Sequence, residues 1–129
     1  MIVVDTSVWI SLIRNSDDDV TEKLRSYIPR GLIMIGDIIL LEVLQGAQTD
    51  RHAEHLQRQL RAFPCSAMSS PPMAIKAAQN YRHLRQRGIT IRKTTDLIIG
   101  TYCIENGHHL LHADRDFEPM AEHLGLQIA

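Results

Sequence analysis

The chain has 129 residues, which accommodates one domain with a single hydrophobic core and leaves too little for a second. Its formal charge of −1 and aromatic content of 5% argue against an overall positive field for nucleic acid and against an aromatic platform for stacking bases. Because neither a basic leader nor an apolar run of membrane-spanning length is visible, we expect a soluble, cytoplasmic protein.

Short apolar runs alternate with longer amphipathic segments, and this alternation is typical of a parallel sheet covered by helices. A buried strand is predicted at residues 2–4, and the hydroxyls of Thr6 and Ser7 are expected to cap the helix that follows. The next predicted elements are a helix over 17–28, a strand at 32–35, a helix from 37 to about 46 and a helix at 50–62.

The second half of the chain continues the same alternation. Its predicted elements are a weak strand at 65–68, a helix that ends at Gly88, a helix from Thr94 to Gly107, a strand at 109–113, a short helix at 116–125 and a strand at 126–128. The third strand is the weakest prediction, because Pro64 and the small residues after it have little strand preference. With no repeat or linker visible, we predict one α/β domain over residues 1–129.

Two aspartates follow predicted strands. Asp5 comes directly after the first strand and Asp114 ends the strand at 109–113, and in open parallel sheets ligands bind outside the carboxyl ends of the strands. Taken alone, Asp5 is more simply explained as a turn or helix-capping residue. Because Asp116 can cap the following helix, we assign that cap to Asp116 and metal binding to Asp114.

Two further acids lie on predicted helices. Glu42 sits among apolar residues from 38 to 44, so we expect a helix buried on most sides, in which a carboxylate needs a cation, a proton or an arginine partner. Asp96 lies in the first turn of an apolar helix, where capping and the helix dipole explain it more simply than a site.

Together these four acids indicate a metal site. Two strand ends and two helix positions in one small domain can bring Asp5, Glu42, Asp96 and Asp114 to one edge of the sheet. Carboxylate oxygens are the hard ligands that Mg²⁺ and Mn²⁺ prefer, and such ions activate water and stabilise the leaving oxygen of a phosphate ester. The pattern therefore predicts metal-dependent phosphodiester hydrolysis without a histidine base or a covalent nucleophile.

In these same segments the chain resembles the PIN domain family, and most of all the VapC-type toxins of bacterial toxin–antitoxin pairs. The matching segments are Ile-Val-Val-Asp-Thr-Ser-Val-Trp at 2–9, the helix around Glu42, Thr-Thr-Asp-Leu-Ile-Ile-Gly at 94–100 and His-Ala-Asp-Arg-Asp-Phe at 112–117. They extend over nearly the whole chain, and the ordered set is more specific than any one segment.

The resemblance implies a three-layer α/β/α fold with a mainly parallel sheet, and an endoribonuclease that depends on Mg²⁺ or Mn²⁺. It also implies a homodimeric toxin that cleaves RNA and is inhibited by a cognate antitoxin. The implied site residues are the metal-binding acids Asp5, Glu42, Asp96 and Asp114, the accessory acid Asp116, and Thr6 or Ser7 as hydroxyls that orient a carboxylate or a water.

Three other groups of residues have simpler explanations than a site. The histidines at 108, 109 and 112 lie in or beside a strand, so ordinary histidines are favoured over a zinc site, although His112 shares its strand side with Asp114. The cations from Lys76 to Lys93 fit a solvated helix face slightly better than phosphate binding. The apolar residues from Trp9 to Tyr27 are favoured for the core, with a dimer or antitoxin groove as the alternative.

Two other functions compete with an endoribonuclease. A nuclease acting on DNA is compatible with the same acids, because metal-activated water needs no 2′-hydroxyl. A phosphorylation receiver also carries acids at strand ends, but it needs paired acids directly after its first strand. Here Thr6 and Ser7 follow Asp5, so the receiver is disfavoured.

Overall fold

The computed structural model describes residues 1–129. Its strands are β1 (Ile2–Val4), β2 (Ile33–Gly36), β3 (Cys65–Ser66), β4 (His109–Leu111) and β5 (Gln127–Ile128). Its helices are α1 (Thr6–Ile13), α2 (Asp19–Tyr27), α3 (Asp37–Gln45), α4 (Asp50–Leu60), α5 (Pro71–Gln86), α6 (Thr94–Asn106) and α7 (Glu118–Leu124). Two short 3₁₀ turns lie at Ile28–Arg30 and Arg115–Phe117. None of the helices has the length and apolar character needed to cross a membrane.

The five strands form one parallel sheet in the order β3-β2-β1-β4-β5. From β1 the chain first moves outward to β2 and β3, and then returns past β1 to β4 and β5. Because crossovers between parallel strands are right-handed, the two directions place their helices on opposite faces. The helix contacts agree, since α1 contacts α2 and α3, α3 contacts α4, and α5 contacts α6 and α7. The predicted α/β/α architecture with a parallel sheet is confirmed.

Burial explains why β1 and β2 carry no polar or charged side chains. Every residue of β1 and β2 is buried, as expected for a parallel sheet covered on both faces. The edge strand β3 has only two residues, because Pro64 cannot donate a hydrogen bond; its carbonyl instead accepts from the N–H of Ile35 at 2.9 Å.

Three local expectations were wrong. Asp5, rather than Thr6 or Ser7, caps α1, and its carboxylate accepts from the N–H of Ser7. Helix α3 is not buried on most sides, because only two of its residues are buried and Leu41 is 57% exposed. The helix expected from residue 116 begins at Glu118, since the Arg115–Phe117 segment forms a 3₁₀ turn first.

Candidate metal centre

The site lies between β1 and β4, where the order in which the chain adds strands to the sheet reverses. Strands β1 and β4 are neighbours, and the crossovers that leave them go to opposite faces of the sheet. A crevice opens at the carboxyl ends of two such strands, and ligands of open α/β sheets bind there. Asp5 directly follows β1, and its N–H donates to the carbonyl of Leu111, the last residue of β4, at 2.9 Å.

Asp5 is nearly inaccessible, with 4% of its surface exposed. Its Oδ2 accepts hydrogen bonds from the N–H of Ser7 at 3.2 Å and from the hydroxyl of Ser7 at 2.6 Å. The Ser7 hydroxyl also accepts from the N–H of Ala113 at 3.3 Å. The carboxylate at the end of β1 is therefore fixed against the segment that follows β4.

Glu42 is half-buried and is held by two threonine hydroxyls. Thr6 donates to its Oε1 at 2.8 Å, and Thr95 donates to its Oε2 at 3.4 Å. No arginine pairs with Glu42, so the ion-pair alternative is wrong. Thr95 was missed by sequence reasoning. Its position next to Asp96 was the available signal, because the first turn of α6 can reach the same crevice.

Asp96 is the buried acid whose pKa is raised by its burial and by neighbouring acids of the site. It is 4% exposed, and its Oδ2 is buried without any hydrogen-bond partner. Burial, followed by the carboxylates of Asp5 and Asp114, raises the pKa of Asp96 from 3.8 to about 7, while Lys93 opposes the shift and Glu42 adds to it. A buried oxygen without a donor in a field of like charges is a position that favours a cation.

Asp114 and Asp116 complete a compact group with Asp96. Carboxylate oxygens of Asp96, Asp114 and Asp116 lie within 4.8 Å of one another. The assignment of the helix cap to Asp116 was wrong, because Oδ1 of Asp114 accepts from the N–H of Asp116 at 3.0 Å and caps the 3₁₀ turn. Asp116 is thereby free to point its own carboxylate toward the other two acids.

Two other titratable side chains border the acids without adding charge. Burial lowers the pKa of His112 against the opposing effect of Asp5 and Asp114, and its Nδ1 accepts from the N–H of Asp114 at 3.1 Å. An imidazole that accepts at Nδ1 is neutral, so it orients Asp114 without neutralising it. Burial, followed by Asp5, raises the pKa of the Cys103 thiol to about 12, so no thiolate nucleophile is available.

The residues present suit a hard divalent cation. The donors are carboxylate oxygens, which favour Mg²⁺ or Mn²⁺ over zinc, and the unpartnered Oδ2 of Asp96 supplies an orphaned acceptor. Asp96, Asp114 and Asp116 form the group whose carboxylate oxygens lie within 4.8 Å of one another. Asp5 and Glu42 are outside that group, but they are close enough to raise the pKa of Asp96. The structure thus brings all five acids to one end of the sheet.

The sequence pattern of the PIN domain matches residues 2–123, which is nearly the whole chain. The chain belongs to the PIN domain family. Among curated proteins, it is similar to the VapC ribonuclease Mb1587 of Mycobacterium bovis and to the ribonuclease VapC11 of Mycobacterium tuberculosis. Each is 29% identical over 131 residues, with 100% of this chain and 98% of the relative aligned.

Solved structures share the PIN domain fold of this chain at lower identity. One is a chain of VapBC2 from Rickettsia felis bound to a DNA fragment from its promoter, with a TM-score of 0.77, 19% identity and coverage of 100% of this chain and 98% of that one. Another is a chain of DNA-bound VapBC from Salmonella typhimurium, with a TM-score of 0.73, 19% identity and coverage of 99% and 96%. At these identities the likeness shows the fold.

Proposed function

We propose that this PIN domain is a Mg²⁺- or Mn²⁺-dependent endoribonuclease that acts in the cytoplasm as the toxin of a toxin–antitoxin pair. The observation that carries the proposal is the group of three carboxylates within 4.8 Å of one another, with an unpartnered buried oxygen on Asp96. The group lies at the carboxyl ends of β1 and β4, where the strand order reverses. Similarity to VapC ribonucleases over the full chain supports RNA as the substrate.

Asp96, Asp114 and Asp116 would hold the metal, with Asp5 and Glu42 at its border. A divalent ion there would supply the positive charge that activates water and offsets charge on the scissile phosphate. The chain's own contribution is orientation: Ser7 fixes Asp5, while Thr6 and Thr95 fix Glu42. Such fixed positions avoid reorganisation during the reaction.

The test is cleavage of matched single-stranded RNA and DNA oligonucleotides with Mn²⁺, with Mg²⁺ and with EDTA. We expect RNA cleavage that requires the metal and is lost in Asp96→Asn, while the control Asp17→Asn retains it, since Asp17 is exposed and distant in sequence from every site acid. Preference for DNA would favour the alternative nuclease. A stable acyl phosphate after incubation with a small phosphodonor would favour the receiver.

A suitable docking surface for the antitoxin lies in the helical layer formed by α1 to α4. A groove of about 470 Å³ between α1 and α4 is lined by Trp9, Leu12, Ile13, Leu56 and Phe63, among others. Ile13 is 40% exposed. An apolar segment of the antitoxin lying in this groove would remove the exposed surface of Ile13 from water.

The product of the neighbouring gene is the partner to test. We expect it to co-purify with this chain, to inhibit RNA cleavage and to lose affinity for Ile13→Asp. Undiminished inhibition of Ile13→Asp would place the antitoxin elsewhere.

A second copy of the chain is the other partner that we propose. Leu41 on α3 and Ile75 on α5 are 57% and 62% exposed, and burial of such side chains is what a homodimer interface provides. Sedimentation equilibrium is expected to show a dimer that Leu41→Lys with Ile75→Lys dissociates. A monomer at every concentration would contradict the homodimer.

A further inference from the structure

The near-neutral total charge conceals a strong separation of charge along the chain. Residues 55–95 contain eight of the 14 Lys and Arg residues and no Asp or Glu. All 15 acids therefore lie in the rest of the chain, which includes the acidic site. Six of these eight cations lie between residues 76 and 93, on α5 and the segment before α6, which gives this part of the chain a local positive charge that the overall charge of −1 does not reveal.

Part of this segment lines a groove between α5 and the N-terminal end of α6. The groove has a volume of about 460 Å³, within the range of about 300–1,000 Å³ typical of ligand sites. Helix α5 contributes residues three and four apart, which is one helical face. Its floor is apolar, and its polar lining includes Tyr81, Arg82, Arg85 and Thr94.

The two arginines of the groove are available for a ligand. Arg82 and Arg85 are exposed, and neither forms an ion pair, whereas Lys76 on the same helix pairs with Glu105 at 3.8 Å. The guanidinium of Arg85 lies 5.7 Å from the centroid of the Tyr81 ring. Contact with an aromatic ring restrains the guanidinium while leaving its N–H donors free for a phosphate.

The groove and the acidic site share the first turn of α6. Thr94, the first residue of α6, lines the groove, and Asp96 lies two residues later in the same helical turn. Residues two apart on a helix project in different directions, so the groove and the acids lie on different sides of this turn. Lys93 precedes them, and its ammonium acts on the pKa of Asp96, so positive charge continues up to the acids.

We propose that this groove binds the single-stranded RNA segment that adjoins the scissile phosphate. Arg82 and Arg85 bind successive backbone phosphates, and the apolar floor formed by Ala78, Leu97 and Ile98 receives the face of a base. Charge complementarity selects RNA over a second copy of the chain, because RNA carries a negative charge at every nucleotide. This inference rests on the proposed ribonuclease function.

Binding can be measured apart from cleavage in the Asp96→Asn background. Fluorescence anisotropy with a short fluorescein-labelled single-stranded RNA in Mg²⁺ gives the dissociation constant at several salt concentrations. Adding Arg82→Gln and Arg85→Gln is expected to weaken binding about tenfold and to reduce the salt slope by about 1.4, or about 0.7 for each lost phosphate contact. Arg82→Lys with Arg85→Lys is expected to restore the slope, because charge is retained.

The control removes the same charge elsewhere. Lys23 and Arg30 are exposed, and Arg30 lies beside Met1 and His109 at the opposite ends of the strands from the acids. Lys23→Gln with Arg30→Gln is expected to leave affinity and salt slope unchanged. With the acids intact, the Arg82→Gln, Arg85→Gln variant is expected to raise KM for RNA while largely retaining kcat, since neither arginine adjoins the acids.

The outcomes separate this inference from the proposed function. If the wild type cleaves RNA but the arginine variant binds RNA as the control does, the groove assignment is overturned and the ribonuclease stands. If binding depends on the arginines but no RNA is cleaved under any metal condition, the groove is supported and the ribonuclease is overturned. Conversion of a wild-type dimer to a monomer by the arginine substitutions would assign the groove to a copy interface and overturn RNA binding there.

Discussion

The hydroxyl of Ser7 donates a 2.6 Å hydrogen bond to Oδ2 of Asp5. The same hydroxyl accepts from the N–H of Ala113, which lies between β4 and Asp114. One uncharged side chain therefore holds the acid at the end of β1 in a fixed relation to the segment that carries the acid after β4. This contact adds a side-chain link to the backbone bond from the Asp5 N–H to the Leu111 carbonyl, which also relates the two acids.

Replacing Ser7 with alanine tests this dependence. We expect Ser7→Ala to lower the free energy of unfolding by about 1 kcal/mol, because a part-buried hydrogen bond is lost. The increase in melting temperature on addition of Mn²⁺ is expected to shrink, because Asp5 is no longer oriented. Ser26→Ala is the matched control, since the Ser26 hydroxyl donates to the Lys23 carbonyl on an exposed helix. Equal Mn²⁺ responses of the two variants would contradict a role for Ser7 in the site.

The raised pKa of Asp96 predicts how stability without metal depends on pH. The folded protein retains the Asp96 proton up to about pH 7, whereas the unfolded chain releases it near 3.8. Between these values the folded state binds more protons, so the free energy of unfolding falls as pH rises from about 4 to about 7 and levels off above 7. The loss is on the order of a few kcal/mol.

Asp96→Asn removes this dependence. Its amide cannot ionise, so in EDTA at pH 8 the variant is expected to melt at a higher temperature than the wild type, and the two curves converge toward pH 5. Thermal melts between these pH values provide the measurement, with Asp17→Asn as the control for an exposed acid. A wild type whose stability is constant from pH 5 to 8 would show that Asp96 is ionised throughout.

The junction between β2 and α3 predicts a packing effect. A Cβ added to Gly36 would overlap the side chain of Met68, which is 1% exposed and whose N–H donates to Oδ1 of Asp37 at 2.9 Å. We expect Gly36→Ala to lower the free energy of unfolding by about 1–3 kcal/mol, measured in urea. The control is Gly46→Ala, whose Cβ would meet only ordinary contacts, the nearest at 3.5 Å from the Val43 carbonyl oxygen. If both variants unfold at the same urea concentration, Met68 has space to move.

The order and type of the elements followed from hydrophobic periodicity, because β1 and β2 are short, apolar and buried throughout. The strand ends then located Asp5 and Asp114, since the carboxyl edge of a parallel sheet is set by chain direction alone. Helix α3 was misjudged because periodicity does not reveal which apolar residues remain uncovered. Leu41 is exposed although its neighbours are equally apolar.

Contacts between distant segments were beyond sequence reasoning. The bond from Thr95 to Glu42 joins residues 53 positions apart, and no local pattern encodes it. The choice between Asp114 and Asp116 as the cap depends on the path of the chain after β4. Both residues are aspartates and both positions are compatible with capping, so only the backbone conformation decides which one caps the turn.

The roles of Asp114 and Asp116 in metal binding can be distinguished by substitutions that preserve the cap of the 3₁₀ turn. Asparagine caps as well as aspartate, so Asp114→Asn is expected to retain the 3₁₀ turn, whereas Asp114→Ala loses the bond to the N–H of Asp116 and about 1 kcal/mol of stability without metal. Asp114→Asn also removes a charge that raises the pKa of Asp96, so its stability in EDTA at pH 8 is expected to equal or exceed that of the wild type.

With Mn²⁺ the expected order changes, because binding to the folded site alone raises the melting temperature. Since the carboxylates of Asp96, Asp114 and Asp116 lie within 4.8 Å of one another, Asp116→Asn is expected to lose as much of the Mn²⁺-induced increase as Asp114→Asn does. Melting curves over a Mn²⁺ titration measure both. A wild-type response from Asp116→Asn, with a lost response from Asp114→Asn, would leave Asp116 outside the metal's ligands and transfer its place to Asp5 or Glu42.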